Sequence, residues 1–206
     1  MPDEPASANL ALPPPKRWLV AGLGNPGPEY EATPHNLGFL VVDRLAERNG
    51  IRITRRDSMA LLGTGSIGRS EVLLAKPQTY MNLSGPSVEK LLSKHALAVE
   101  DLILIYDELD LPWTALRIRP SGTAAGHRGP ESVIRSLGSD NFARVRLGIH
   151  PGHPVSDGAK FVLAPFGRAQ KEELDELLDF ASQAVESIIA EGVEKSMAKF
   201  NRRARG

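Results

Sequence analysis

Residues 22–39 read GLGNPGPEYEATPHNLGF, and an apolar run, Trp18-Leu19-Val20-Ala21, leads into them. A loop so rich in glycine, proline, asparagine and histidine can serve three chemistries. It can cradle a phosphate, simply turn the chain at a strand end, or form one wall of a catalytic site around His35. Gly22-Leu23-Gly24-Asn25-Pro26-Gly27 matches the GxGxxG fingerprint of dinucleotide sites. That fingerprint requires a helix opening inside the motif, so that free N–H groups face the pyrophosphate. Pro26 and Pro28 remove two such donors, and helical periodicity resumes only after Asn36. Asp43 falls inside that helix, not at the end of a second strand where a ribose-binding acid belongs. The stretch therefore reads as a rigid loop, and a dinucleotide-dependent oxidoreductase is the weaker reading of it.

His35 follows a proline and precedes a helix, at the strand-end position where open α/β sheets form their ligand crevice. By position alone, a capping role for this segment and a catalytic role for His35 both fit. Three further stretches add chemistry-bearing types. KPQTYMNLSG (76–85) presents an amide, a hydroxyl and large side chains after a strand. YDELDLP (106–112) sets Asp107, Glu108 and Asp110 directly after an apolar strand. Such acids often only solubilise a loop, but Asp107 abuts Ile103-Leu104-Ile105, so partial burial and a donor partner are expected, for which an imidazole is well suited. AGHRG (125–129) places His127 and Arg128 in a loop opening another helix.

The other candidates have plainer readings. His95 lies near a helix end, and His150 and His153 sit in a proline-bound loop, HPGHP, without a third metal ligand. GTGSIGRS (63–70) imitates a phosphate loop but continues into EVLLAK, a strand, so it predicts a hairpin turn. The chain has no GxSxG nucleophile elbow. It also has no cysteine, which excludes disulfides, a thiolate nucleophile and cysteine-based metal sites.

The elements that must position these groups alternate along the chain. Strands are expected at 17–22, 59–67, 71–75, 102–106, 116–119, 145–149 and 160–163. Helices are expected over 36–48, from Pro86 through Val88, Leu91 and Leu92, around Val133, Ile134 and Leu137, and over 169–191. Interleaved strands and helices predict an α/β sandwich around a mixed, largely parallel sheet. The 206 residues suit a single domain, placed at 17–206, behind a disordered, proline-rich leader at 1–16 that lacks a signal peptide's pattern. No apolar run approaches the ~20 residues needed to span a bilayer, and a cytoplasmic protein is expected. Formal net charge is +0, so a polyanion would need a local basic patch. Arg117, Arg119, His127, Arg128, Arg135, Arg144 and Arg146 form one in a stretch with few acids, where RNA contact is expected. Lys195, Lys199, Arg202, Arg203 and Arg205 form a basic tail that reads as a solvated end.

Taken together and in order, GLGNPGPEYEATPHNLGF, KPQTYMNLSG, YDELDLP, GHRG and VRLGI make the chain resemble the bacterial peptidyl-tRNA hydrolases, from about Trp18 to beyond Phe200. The resemblance implies a single three-layer α/β/α domain, acting as a monomer without cofactor, metal or obligate protein partner. Its substrate would be peptidyl-tRNA, whose ester between peptide and 3′ ribose is cleaved to recycle tRNA from aborted translation. It further implies His35 as general base, Asp107 as the group that holds and stabilises its imidazole, and Asn25 and Asn82 as carbonyl partners, with the oxyanion donor left open between the two. Tyr30, Tyr80 and Met81 would line the cleft, while His127, Arg128, Arg144 and Arg146 would meet substrate or tRNA. Family members commonly carry asparagine where this chain has Arg128, so that position's role is not carried over. A phosphate of the tRNA 3′ end is one partner that Arg128 would suit. The rival within the same fold is a non-catalytic RNA-binding relative.

Overall fold

The computed structural model describes residues 16–201. Residues 1–15 of the leader and Arg202, Arg203 and Arg205 of the tail lie outside the described residues. Among the described residues the seven strands are β1 (Arg17–Gly22), β2 (Arg55–Asp57), β3 (Ala60–Ile67), β4 (Ser70–Pro77), β5 (Leu102–Pro112), β6 (Leu116–Arg119) and β7 (Ala143–His150). They form one sheet in the order β2-β3-β4-β1-β5-β7-β6. The centre is parallel, β1 pairing with β4 and β5, and β5 with β7. The margins are antiparallel, through the β2–β3–β4 meander on one side and β6 against β7 on the other.

The helices are α1 (Leu37–Arg48), α2 (Ser84–Lys94), α3 (Arg128–Leu137), α4 (Gly158–Leu163), α5 (Arg168–Glu191) and α6 (Val193–Phe200). Alternate side chains of the central strands feed two cores, as the period of two requires. Val20, Ile103, Ile105, Val145 and Leu147 pack with Val41 and Leu45 of α1 and with Leu178, Ala181 and Val185 of α5. Leu19, Ala21, Leu102, Leu104 and Tyr106 pack with Val88 and Leu91 of α2 and Val133 of α3. Buried on both faces, β1 and β5 read as near-continuous apolar runs.

Several elements depart from expectation. The 160–163 segment is not a strand but α4, opened by Asp157, whose Oδ1 accepts the Lys160 N–H at 3.0 Å. β2 and α6 were not foreseen. α2 begins two residues before Pro86. β5 runs on to Pro112, so Asp107 and Glu108 belong to a strand paired with Leu147 and Gly148 of β7, not to a loop beyond it.

One close approach sets the geometry of everything below. A Cβ on Gly38 would lie 2.3 Å from Leu23 N and 2.4 Å from Ile105 O; one on Gly22 would lie 2.1 Å from Gly38 O. Only glycine lets the first turn of α1 press onto the end of β1 and the middle of β5. At the far margin, Asn201 closes the β6 edge. Its Oδ1 accepts the Ile118 N–H at 2.6 Å, and its Nδ2 donates to Ile118 O at 3.1 Å, as a further strand would.

Candidate active site

The carboxyl end of β1 lies beside the first half of β5, with Gly22 opposite Ile105. The loop leaving β1 and the chain entering α1 thus converge on the middle of β5, at Ile105 and Asp107. The result is a cleft of about 530 Å³. Of the residues singled out in the sequence, Asn25, Tyr30, His35, Tyr80, Met81, Asn82, Asp107, His127 and Arg128 all line it.

Asp107 is the hub, and only 1% of it is exposed. His35 Nδ1 stands 3.1 Å from both of its carboxylate oxygens, and His127 Nε2 stands 2.9 Å from Oδ1. The two imidazoles lie with ring centroids 5.1 Å apart. Hydrogen-bond partners assign the tautomers. His127 Nδ1 accepts the Gly129 N–H at 3.1 Å, capping α3, so the ring proton sits on Nε2 and is donated to Asp107. His35 donates from Nδ1, which leaves the Nε2 lone pair of that partly exposed ring without a partner among the described residues.

Burial by itself would push the Asp107 carboxyl up. The charge and hydrogen bond of His127, joined by those of His35, more than reverse this and hold it well below the usual carboxylate range. Burial likewise pushes His127 down, and the Asp107 carboxylate outweighs it, so the imidazole lies above its ordinary value. Protonating His127 would cost the Gly129 cap, because Nδ1 could no longer accept. Ligand-type atoms of His35, Asp107 and His127 lie within 4.8 Å of one another, a spacing that a metal ion would also accept. Their donor chemistry fits a hydrogen-bonded triad instead, since both nitrogens of His127 are already engaged and His35 Nδ1 turns its proton to the carboxylate.

Asn25 is buried beside the triad, and its Oδ1 accepts the Met81 N–H at 2.8 Å. That bond orients the carboxamide and leaves Nδ2 as its uncommitted donor. Asn82 is exposed on the next residue, at the rim. Tyr80 is 59% exposed, whereas Met81 is buried. An apolar part of the lining was missed in the sequence: Leu109 of β5 with Ala159, Val162 and Leu163 of α4. The signal available for it was Asp157, a helix cap immediately before those residues.

The basic stretch divides in three. Arg128 is exposed and lines the cleft at the start of α3. Arg146 Nε donates to Glu108 Oε2 at 2.9 Å, so its charge is matched by a nearly buried carboxylate. Arg144 corrects the expectation of a surface contact. It is 1% exposed, donates to Thr123 O at 2.7 Å and Asp140 O at 3.3 Å, and lies 4.6 Å from the Phe142 ring. Its guanidinium ties the loop between β6 and α3 to the sheet. Neither Arg144 nor Arg146 lines the cleft; with Arg119 they line a smaller pocket of about 150 Å³.

Comparison with known proteins shows the family. The family model described as peptidyl-tRNA hydrolase matches residues 19–206. A peptidyl-tRNA hydrolase of Solibacter usitatus (strain Ellin6076) is 62% identical, over 92% of this chain and 96% of that protein. A chloroplastic peptidyl-tRNA hydrolase of Arabidopsis thaliana is 43% identical, over 98% of this chain and 69% of its own length. Among solved structures, the peptidyl-tRNA hydrolase from Acinetobacter baumannii superposes with a TM-score of 0.83 at 33% identity, covering 90% of this chain and 95% of that one. A peptidyl-tRNA hydrolase in complex with N-propanol gives a TM-score of 0.85 at 31% identity, covering 92% and 96%. On this evidence the chain belongs to the peptidyl-tRNA hydrolase family.

Proposed function

We propose that the chain hydrolyses the ester joining a peptide to the 3′ ribose of tRNA, with His35 as the general base. The observation that carries the proposal is the His35–Asp107 pair, which leaves His35 Nε2 without a partner among the described residues, in the cleft that Asn25 also lines. Nε2 takes a proton from water as the water oxygen bonds to the ester carbonyl carbon. Asp107 stays ionised and stabilises the imidazolium that forms, the part an aspartate plays in serine-protease triads. The negative charge developing on the carbonyl oxygen is met by Asn25 Nδ2. When the C–O bond to the ribose breaks, the imidazolium returns its proton to the departing 3′ oxygen, releasing tRNA with a free hydroxyl and a peptide carboxylic acid that gives its proton to solvent.

His127 serves this reaction through Asp107, as its second donor, and through the α3 cap. Tyr30, Tyr80, Met81 and Asn82 contact the peptide or terminal nucleotide, and Arg128 faces the anionic end of the tRNA. A cytoplasmic location fits a translation substrate; no helix among the described residues is long and apolar enough to cross a membrane. Steady-state hydrolysis of a purified peptidyl-tRNA tests the reading. The wild-type chain should turn over, and His35→Ala should lose at least ~10²-fold in kcat, the usual scale for a general base. Undiminished turnover by His35→Ala would remove the base. Absence of hydrolysis by the wild type would favour a non-catalytic RNA-binding relative.

A further inference from the structure

Asn36 precedes α1 in the position where an asparagine side chain normally caps the first turn. It makes no such bond, although it occupies the N-cap site and is only 2% exposed. Its carboxamide turns back across the loop. Oδ1 accepts the Asn25 N–H at 2.8 Å, and Nδ2 donates to Asn25 C=O at 2.9 Å. Both backbone groups of one residue are thereby held by one side chain, eleven positions away.

We infer that Asn36 is a positioning residue that aligns the Asn25 carboxamide with the His35 base, an inference that rests on the reaction proposed above. Asn36 adjoins His35 in the chain, so the clamp joins the base-bearing turn directly to the residue carrying the carbonyl donor. Asn25 then passes the constraint on, since its Oδ1 accepts the Met81 N–H at 2.8 Å and only Nδ2 is left for substrate. The loop between the two asparagines is braced internally as well. Tyr30 N–H donates to Gly27 O at 3.1 Å, and the Thr33 hydroxyl donates to Tyr30 O at 2.7 Å. The loop closes upon itself at the Asn25–Asn36 contact. Without that clamp, Asn25 keeps its side chain but has a buried N–H and C=O without partners, and the backbone must move to find others. A displacement on the order of 1 Å at such a group costs about 10²-fold in rate. The loss falls on kcat, because the donor meets charge that exists only in the transition state.

A double-mutant cycle separates positioning from general stability. Kinetics of peptidyl-tRNA hydrolysis are measured for the wild type, Asn36→Ala, Asn25→Ala and the double variant, with His35→Ala as the inactive reference. Asn36→Ala is expected to lower kcat about 10- to 100-fold with KM within about 3-fold. In the Asn25→Ala background the same change should move kcat less than about 3-fold, because nothing remains to align. Equal losses in both backgrounds would overturn the inference, as would an Asn36→Ala enzyme of full activity. Asn36→Ser, which favours helix N-caps while giving up the pair of bonds to Asn25, carries the same cycle if the alanine variant does not fold. Full activity of Asn36→Ala beside an inactive His35→Ala overturns this inference alone. A wild type without hydrolysis overturns the reaction and the inference together.

Discussion

Replacing Asp107 with asparagine exchanges one acceptor oxygen for an NH2 donor at the centre of the triad. The native carboxylate receives His127 Nε2 on Oδ1 at 2.9 Å and His35 Nδ1 on both oxygens at 3.1 Å. The variant has a single acceptor oxygen. If that oxygen stays with His127, the new NH2 faces His35 Nδ1 and favours the tautomer whose proton sits on Nε2, the atom that must accept from water. If it turns the other way, two donors oppose each other at His127. The charge effect is larger still. Opposite unit charges about 4 Å apart attract by roughly 4 kcal/mol at an effective dielectric of ~20. That attraction stabilises the imidazolium only as it forms, and at about 1.4 kcal/mol per tenfold it amounts to about three orders of magnitude in rate. With the tautomer penalty added, kcat should fall by about 10³–10⁴ while KM changes little. The assay is steady-state hydrolysis of purified peptidyl-tRNA at saturating and limiting substrate, beside a thermal melt of the same sample. A folded variant whose kcat stays within about 5-fold of wild type would refute the electrostatic account. A loss confined to KM would refute it equally, and loss of folding would make Asp107 a structural group.

Four further outcomes follow from the same geometry. The folded-state pKa of Asp107 is depressed, so its contribution to stability is present above the unfolded value of ~3.9 and is lost as pH falls through the folded one. Urea midpoints should therefore drop below about pH 4 in the wild type and drop less in Asp107→Asn. Gly38→Ala forces a methyl group onto Leu23 N and Ile105 O, both backbone atoms, and should cost about 3 kcal/mol or more in denaturant unfolding. Arg128→Ala should raise KM and flatten the log KM against log salt slope by about one, as the loss of one phosphate contact does. Arg144→Met should leave that slope alone and lose about 2–4 kcal/mol of stability, because it unpairs loop carbonyls inside the protein.

What was legible in the sequence was whatever depends on neighbours in the chain. β1 and the start of β5 announce themselves because strands covered on both faces are apolar throughout, whereas the gathering of Asn25, His35, Asn82 and Asp107 in one cleft was expected only through the family resemblance. The misreadings each have a non-local cause. The 160–163 run is too short to show a period, and only the Asp157 cap distinguishes a helix from a strand there. Glu108 looked like a loop acid because its partner, Arg146, arrives from β7. Arg144 and Arg146 are two apart on one strand, and both promised a charged surface. Arg144 is buried only because the loop after β6 folds across it and supplies Thr123 O.

Asn36 is the sharpest case. Asparagine before a helix is the ordinary sign of a cap, and that local explanation was sufficient to hide a bond pair to a residue on the other side of the loop. The same logic governs the triad. Burial of Asp107 disfavours its charge, which a stability argument alone would count against an aspartate there. Two imidazoles that are themselves fixed, one by Gly129 and one by the turn entering α1, keep the carboxylate ionised and acceptor-only. The glycine contact of Gly22 and Gly38 brings that turn close enough for the bond to form. A change in the packing of α1 on the sheet should therefore reach the chemistry as well as the core, because the turn that carries His35 to Asp107 leads directly into α1.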